Sequence, residues 1–215
     1  MEYPTMKKLL SLSLLSLFSF AQDIKKDDVL VKITPEISHV ETTDSGQKIK
    51  IKRVQDVENL LTDDFTKTSR SCPPFCIQPT KIEENIQNIA ELEILTFVQS
   101  RVSSKKGLLV DTRLETLFEL ETIPSAINIP YNRISKRLLL TLGMVEREDG
   151  TWDGSKAKEL AIFDNGVWCE QAKHFLKNIL KFNYPKNKIS YYRSGLQGWK
   201  LLGLTTLVHK EIKVD

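Results

Sequence analysis

Hydrophobic positions follow different rules in the two parts of this chain. Between Gln22 and about Arg70 most residues are polar or charged, and the clearest regular pattern is Lys48-Ile49-Lys50-Ile51-Lys52-Arg53-Val54, preceded by Asp44-Ser45-Gly46. Period-two alternation after turn residues predicts a hairpin with one half-buried face, too small to stand alone. Three prolines in Ser71-Cys72-Pro73-Pro74-Phe75-Cys76-Ile77-Gln78-Pro79 forbid a regular helix or a central strand, so this stretch is expected to be a rigid extended loop holding two cysteines. From residue 89 helical spacing and short apolar runs alternate. Leu92, Ile94, Leu95 and Val98 suggest one helical stripe, and Leu108-Leu109-Val110 a buried strand ending in Asp111. A short helix over 113–120, a strand over 126–130 and a helix over 135–142 follow, then a polar turn at 149–154. Glu159-Leu160-Ala161-Ile162-Phe163 is the next buried strand. It passes through Asn165-Gly166 into an amphipathic helix carrying Ala172, Phe175, Leu176, Ile179 and Leu180. A strand over 188–192 and a helix over 195–202 close the series. Alternation of this kind predicts an α/β fold with a mostly parallel sheet covered on both faces, and ligands at the carboxyl ends of its strands.

The N-terminus adds an address. Lys7-Lys8, an apolar run from Leu9 to Phe18, and small residues at Ser19 and Ala21 form the pattern of a secretory signal peptide. The run is shorter than the roughly 18 apolar residues a spanning helix needs. The expected organisation is therefore a signal peptide over 1–21, an N-terminal extension over 22–85 with the hairpin and the Cys72/Cys76 loop, and an α/β domain over 86–215. Export suits a periplasm, with no membrane span after cleavage. The 215 residues carry 31 basic and 28 acidic side chains, a net +3 with both signs interleaved, which leaves no electrostatic footprint for nucleic acid.

The α/β part resembles the single-domain rhodanese-like proteins, sulfurtransferases and their inactive relatives. Leu109-Val110-Asp111-Thr112-Arg113 followed by Thr122-Ile123-Pro124-Ser125-Ala126-Ile127-Asn128-Ile129-Pro130 is similar to that family's Asp-x-Arg and His-Ile-Pro-Gly-Ala-Ile-Asn-Ile-Pro signatures, with Thr122 and Ser125 departing from its His and Gly. Phe163-Asp164-Asn165-Gly166-Val167-Trp168-Cys169 stands where the family has strand, active loop and helix. Tyr192-Arg193-Ser194-Gly195-Leu196-Gln197-Gly198-Trp199-Lys200 resembles its closing Gly-Gly-x-x-x-Trp motif. The likeness covers about 86–206 and is greatest to an exported subgroup with Cys-Pro-Pro-Phe-Cys ahead of the domain and a Cys-Asn-Gly-x-Trp-Cys loop. It implies a rhodanese-like three-layer fold preceded by a small β-containing extension.

The resemblance also implies a lesion. Asp164 occupies the place of the cysteine that carries the persulfide, and a carboxylate forms no persulfide. It can accept the loop's converging N–H groups itself, a bonding pattern expected to favour its ionised form. Asn165, Gly166, Val167 and Trp168 are the expected pocket-forming residues, with Asp111 and Arg113 as a supporting ion pair; the alternative is that Arg113 attracts an anionic substrate to the loop, and Arg193 is open to the same two readings. Cys169 is either a half-buried packing residue or a nucleophile whose pKa the helix N-terminus lowers. Cys72 and Cys76 are close enough to bridge locally; alternatives are a thiol relay with Cys169 or a zinc site, the last opposed by only three scattered histidines, His39, His174 and His209. No metal and no cofactor are expected. The partner is expected to be a small sulfur-containing anion or a periplasmic protein. The leading expectation is a binding or sulfur-handling accessory without the standard activity; a sulfurtransferase or thiol redox protein using Cys169 and a structural interaction domain are the alternatives.

Overall fold

A computed structural model describes residues 29–209. The expected signal peptide, 1–21, lies outside the described residues. Among those described, no helix is long and apolar enough to cross a membrane. In chain order the elements are β1 (His39–Asp44), β2 (Gln47–Lys52), β3 (Gln87–Ile89), α1 (Glu91–Phe97), β4 (Gly107–Asp111), α2 (Glu115–Leu120), β5 (Ala126–Asn128), α3 (Lys136–Thr141), β6 (Val145–Glu146), β7 (Trp152–Asp153), β8 (Glu159–Phe163), α4 (Gln171–Ile179), β9 (Ile189–Tyr192) and α5 (Gly195–Leu201).

Five strands form one sheet in the order β3-β9-β8-β4-β5, every pairing parallel. A central parallel strand is covered on both faces and so reads as an unbroken apolar run, as in the Leu-Ala-Ile-Phe stretch of β8. Successive side chains alternate between two cores. Val110, Leu160, Ile162 and Tyr191 join one with Leu139 of α3 and Phe175, Leu176 and Ile179 of α4. Leu109, Ala161, Phe163 and Tyr192 join the other with Ile94 and Leu95 of α1 and Leu196 and Trp199 of α5. The result is the expected rhodanese-like three-layer α/β architecture. Each fully buried aliphatic or aromatic side chain contributes about 1.5–3 kcal/mol, so Ala172, Phe175, Leu176 and Ile179, all on one face of α4, are enough to dock that helix.

β1 and β2 form the expected hairpin, turning through Ser45 and Gly46, both at positive φ. Its apolar face is more than half-buried: Val40 and Ile51 sit inside the second core with Leu109 and Trp199. Further ties run to the far end of the chain, where Val54 N–H donates to Gly203 O at 2.7 Å and Lys52 N–H to Thr205 Oγ1 at 3.0 Å. The hairpin is thus a piece of the domain core, although it precedes the α/β pattern in sequence.

Three local expectations change. Leu92 is exposed, because at 3.6 residues per turn it lies about 160° round α1 from Ile94, outside the arc shared by Ile94, Leu95 and Val98. Val98 itself falls in a π-turn, Val98–Val102, that extends α1. The polar turn near 149–154 is the tip of a second hairpin, in which β6 pairs antiparallel with β7.

Candidate functional site

Three strand ends build the site. β4 ends in Asp111, and Arg113, two residues on, folds back onto it: Arg113 Nε donates to Asp111 Oδ1 at 2.9 Å and Nη2 to Oδ2 at 2.7 Å. Both side chains are almost fully buried. Such a pair is sustained by filling every remaining lone pair and donor. Thr122 Oγ1 donates to Asp111 Oδ2 at 2.8 Å, and Arg113 Nη1 reaches Asn165 Oδ1 at 3.2 Å. Asp111 and Arg113 therefore support the loop instead of facing solvent. The departures Thr122 and Ser125 both have structural employment. Ser125 has φ +69°, its N–H donates to Asp44 Oδ2 at 2.8 Å, and its hydroxyl bonds Thr42 and Thr43 of β1. The hairpin thus holds in place a residue in the left-handed region that otherwise favours glycine.

β8 runs into the loop 164–170. Asp164 is fully buried, and its carboxylate accepts from Gly166 N–H at 3.1 Å and from Ala172 N–H, in the first turn of α4, at 2.9 Å. The side chain occupies the N–H nest that the loop creates. The expected preference for the ionised form does not hold, because burial outweighs the two amide bonds and the Asp111 charge adds to it, pushing the Asp164 pKa up to about 7. The N-terminal end of α5 secures the loop from behind: Leu196 N–H donates to Asp164 O and Gln197 N–H to Asn165 O. A Cβ on Gly195 would lie 2.4 Å from Asp164 O, so this crossing requires glycine, whose φ is +57°.

Cys169 is buried, with Asn165 Nδ2 at 3.6 Å and Gln171 Oε1 at 3.7 Å from its sulfur. Of its two expected readings, the buried packing residue fits its burial, and the lowered pKa of the nucleophile reading is reversed. Burial, with the neighbouring Asp164 charge, pushes the thiol up to about 12, so it is protonated at neutral pH. Cys72 and Cys76 are bonded to each other, with Cα atoms 4.7 Å apart. In this state neither has a thiol for the relay expectation. Among the described residues no three His, Cys, Asp or Glu side chains converge on a metal-sized site. His174 lies on the surface of α4, paired with Glu170 at 3.4 Å.

The disulfide segment lies across the loop as a strap. Gln78 N–H donates to Val167 O at 2.7 Å, and its side chain reaches Glu170. Arg193 answers from the end of β9, Nη2 donating to Gln78 O at 2.6 Å. Phe75 meets Trp168 edge-on at 5.7 Å, and the Arg70 guanidinium stacks over Trp168 at 4.0 Å. Trp168 Nε1 donates to Gln197 Oε1. Beside this stack opens a cleft of about 710 Å³ lined by Phe65, Arg70, Phe75, Arg113, Leu117, Leu120, Asn165, Trp168 and Leu196, among others. Of the four residues expected to form the pocket, Asn165 and Trp168 line it, whereas Gly166 and Val167 do not; Asp164 and Cys169 are also absent from its wall. Sequence reasoning missed the contribution of residues 63–75. The spacing of Phe65, Arg70 and Phe75 in a charged stretch carries no periodic signal that would have drawn attention to them.

Residues 96–202 match the family model of the rhodanese-like domain. An uncharacterized protein of Buchnera aphidicola subsp. Schizaphis graminum (strain Sg) is 26% identical over 111 residues; the match covers 52% of this chain and 65% of that protein, less than two thirds of its length. Among solved structures, a protein from Bacillus halodurans is 17% identical with a TM-score of 0.45, covering 60% of this chain and 82% of that one. A thiosulfate sulfurtransferase from Pseudomonas aeruginosa is 15% identical with a TM-score of 0.42, covering 61% of this chain and 22% of that one. The rhodanese-like domain of an Anabaena protein is 15% identical with a TM-score of 0.41, covering 62% and 87%.

Proposed function

We propose, for a chain whose residues 96–202 are a rhodanese-like domain of the sulfurtransferase superfamily, an exported binding or sulfur-handling accessory without persulfide chemistry. The observation that carries this reading is Asp164. Sulfur transfer in such a fold needs a thiolate at the centre of the loop's N–H groups, to attack a sulfur donor and then hold the sulfane sulfur. Here a carboxylate takes two of those amides, and it has no sulfur atom to offer. The nearby Cys169 is a poor substitute, because a thiol held protonated is a weak nucleophile. The disulfide strap supports a location where oxidants maintain such bonds, in line with the signal-peptide pattern at 1–21. What the site retains is a rigid loop beside a large cleft, suited to binding. The accessory would engage a small sulfur-containing anion or a protein of the same compartment.

The test is a thiosulfate:cyanide sulfurtransferase assay. The expected result is no turnover above the uncatalysed rate. Robust turnover that disappears in Cys169→Ser would overturn the reading and make Cys169 the nucleophile.

A further inference from the structure

We infer that the cleft beside the loop binds an aromatic carboxylate, a ligand with a flat apolar body and one anionic head. The inference rests on the binding role proposed above and names the class of ligand. At about 710 Å³ the cleft falls within the range that encloses most of a drug-sized molecule, far more than a small inorganic sulfur anion needs. Its wall is set by rings and branched side chains, with Phe65 and Phe75 from the extension facing Leu117, Leu120 and Trp168 of the domain. Aromatic walls favour a ring that can stack or meet them edge-on.

The unspent polar capacity decides the head group. Asp63 and Glu121, which line the cleft, are both paired with Lys200, and Asp64 stands out in solvent at the rim. One donor is left over: Arg70 Nη2 donates to Asp64 O at 2.7 Å and Nη1 comes only within 4.0 Å of Asp64 Oδ2, while its buried Nε has no partner. Arg70 is largely buried against Trp168, so its charge is poorly hydrated, and a carboxylate, planar like the guanidinium, takes its hydrogens in strong charge-assisted bonds. Phe65, Arg70 and Phe75 lie before residue 96, outside the rhodanese-like match, so this site belongs to the extension as much as to the domain.

Isothermal titration of the purified, oxidised protein with 2-naphthoate, and in parallel with the neutral 2-naphthalenemethanol, tests this. The expected result is saturable one-to-one binding, with the acid about ten-fold tighter than the alcohol, the worth of one charge-assisted hydrogen bond. Arg70→Gln should abolish that preference while the alcohol still binds, and Leu117→Trp, which fills the cleft from α2, should abolish both. Thermal melts confirm that each variant is folded, and either variant alone suffices if the other is not. No saturable binding, equal affinity for acid and alcohol, or binding untouched by the folded variants would overturn the inference. Failure here together with absent sulfurtransferase turnover leaves the broader binding reading standing, whereas turnover through Cys169 removes that reading whatever naphthoate does.

Discussion

Asp164 takes its character from its surroundings. In an unfolded chain an aspartate releases its proton near pH 4, whereas the buried side chain holds it to about pH 7. Between those values the native protein binds a proton that the unfolded chain has lost, so this residue's contribution to stability is complete below pH 4 and declines as pH rises to 7. Asp164→Asn cannot titrate. The urea midpoint of the wild type should therefore fall relative to that of Asp164→Asn between pH 4 and 7, then run parallel above. A constant difference across the range would contradict the raised pKa. The sequence placed Asp164 at the centre of the loop and anticipated its capture of the amides. It did not show which influence on ionisation wins, because the depth of burial depends on β4, β8 and α5 closing over the residue together. The same holds for Cys169, where proximity to a helix N-terminus argued for a low pKa and burial delivers a high one.

At the scale of elements, the readable parts are those whose pattern follows from local rules. β4, β8 and β9 are apolar runs because both faces of a parallel sheet are covered, and α4 shows its buried stripe at helical spacing. β3 escaped because Gln87-Asn88-Ile89 is a short edge strand with little to bury, and the β6–β7 pair because two-residue strands carry no period. The hairpin β1–β2 was legible as a hairpin, but its place in the core was not, since Val40 and Ile51 meet Trp199 only through tertiary packing. That placement has a measurable cost. Ile51→Ala should destabilise the protein by about 2–5 kcal/mol, as large-to-small changes in a close-packed core do, and chemical denaturation should remain one transition. A separate early transition for the hairpin, or a loss below about 1 kcal/mol typical of surface changes, would show it to be an appendage.

In the whole molecule, the segment before residue 96, where the match to the rhodanese-like family model begins, completes the site. The Cys72–Cys76 loop presses Phe75 and Arg70 onto Trp168, while Gln78 is gripped by Val167 below and Arg193 behind. Opening the disulfide frees the 72–76 loop that fixes the shape in which the strap presents Phe75 to Trp168. Dithiothreitol should make Trp168 more accessible, raising acrylamide quenching of the fluorescence that is lost in Trp168→Phe, while Trp199 stays buried in the core. Unchanged quenching of Trp168 after full reduction would mean the strap is held by its hydrogen bonds alone. The Cys72–Cys76 bridge was legible in the sequence, but the cleft wall that Phe65, Arg70 and Phe75 build beside Trp168 was not, because nothing in residues 63–78 announces which surface they cover.

We propose that Asp164 has taken the place where sulfur would be carried and that no other residue has assumed the task. Peptide mass spectrometry on protein purified without reductant, before and after thiosulfate, tests it most directly. Cys72 and Cys76 should be bridged to each other and Cys169 unmodified in both samples. A sulfur atom gained on Cys169 after thiosulfate would contradict it.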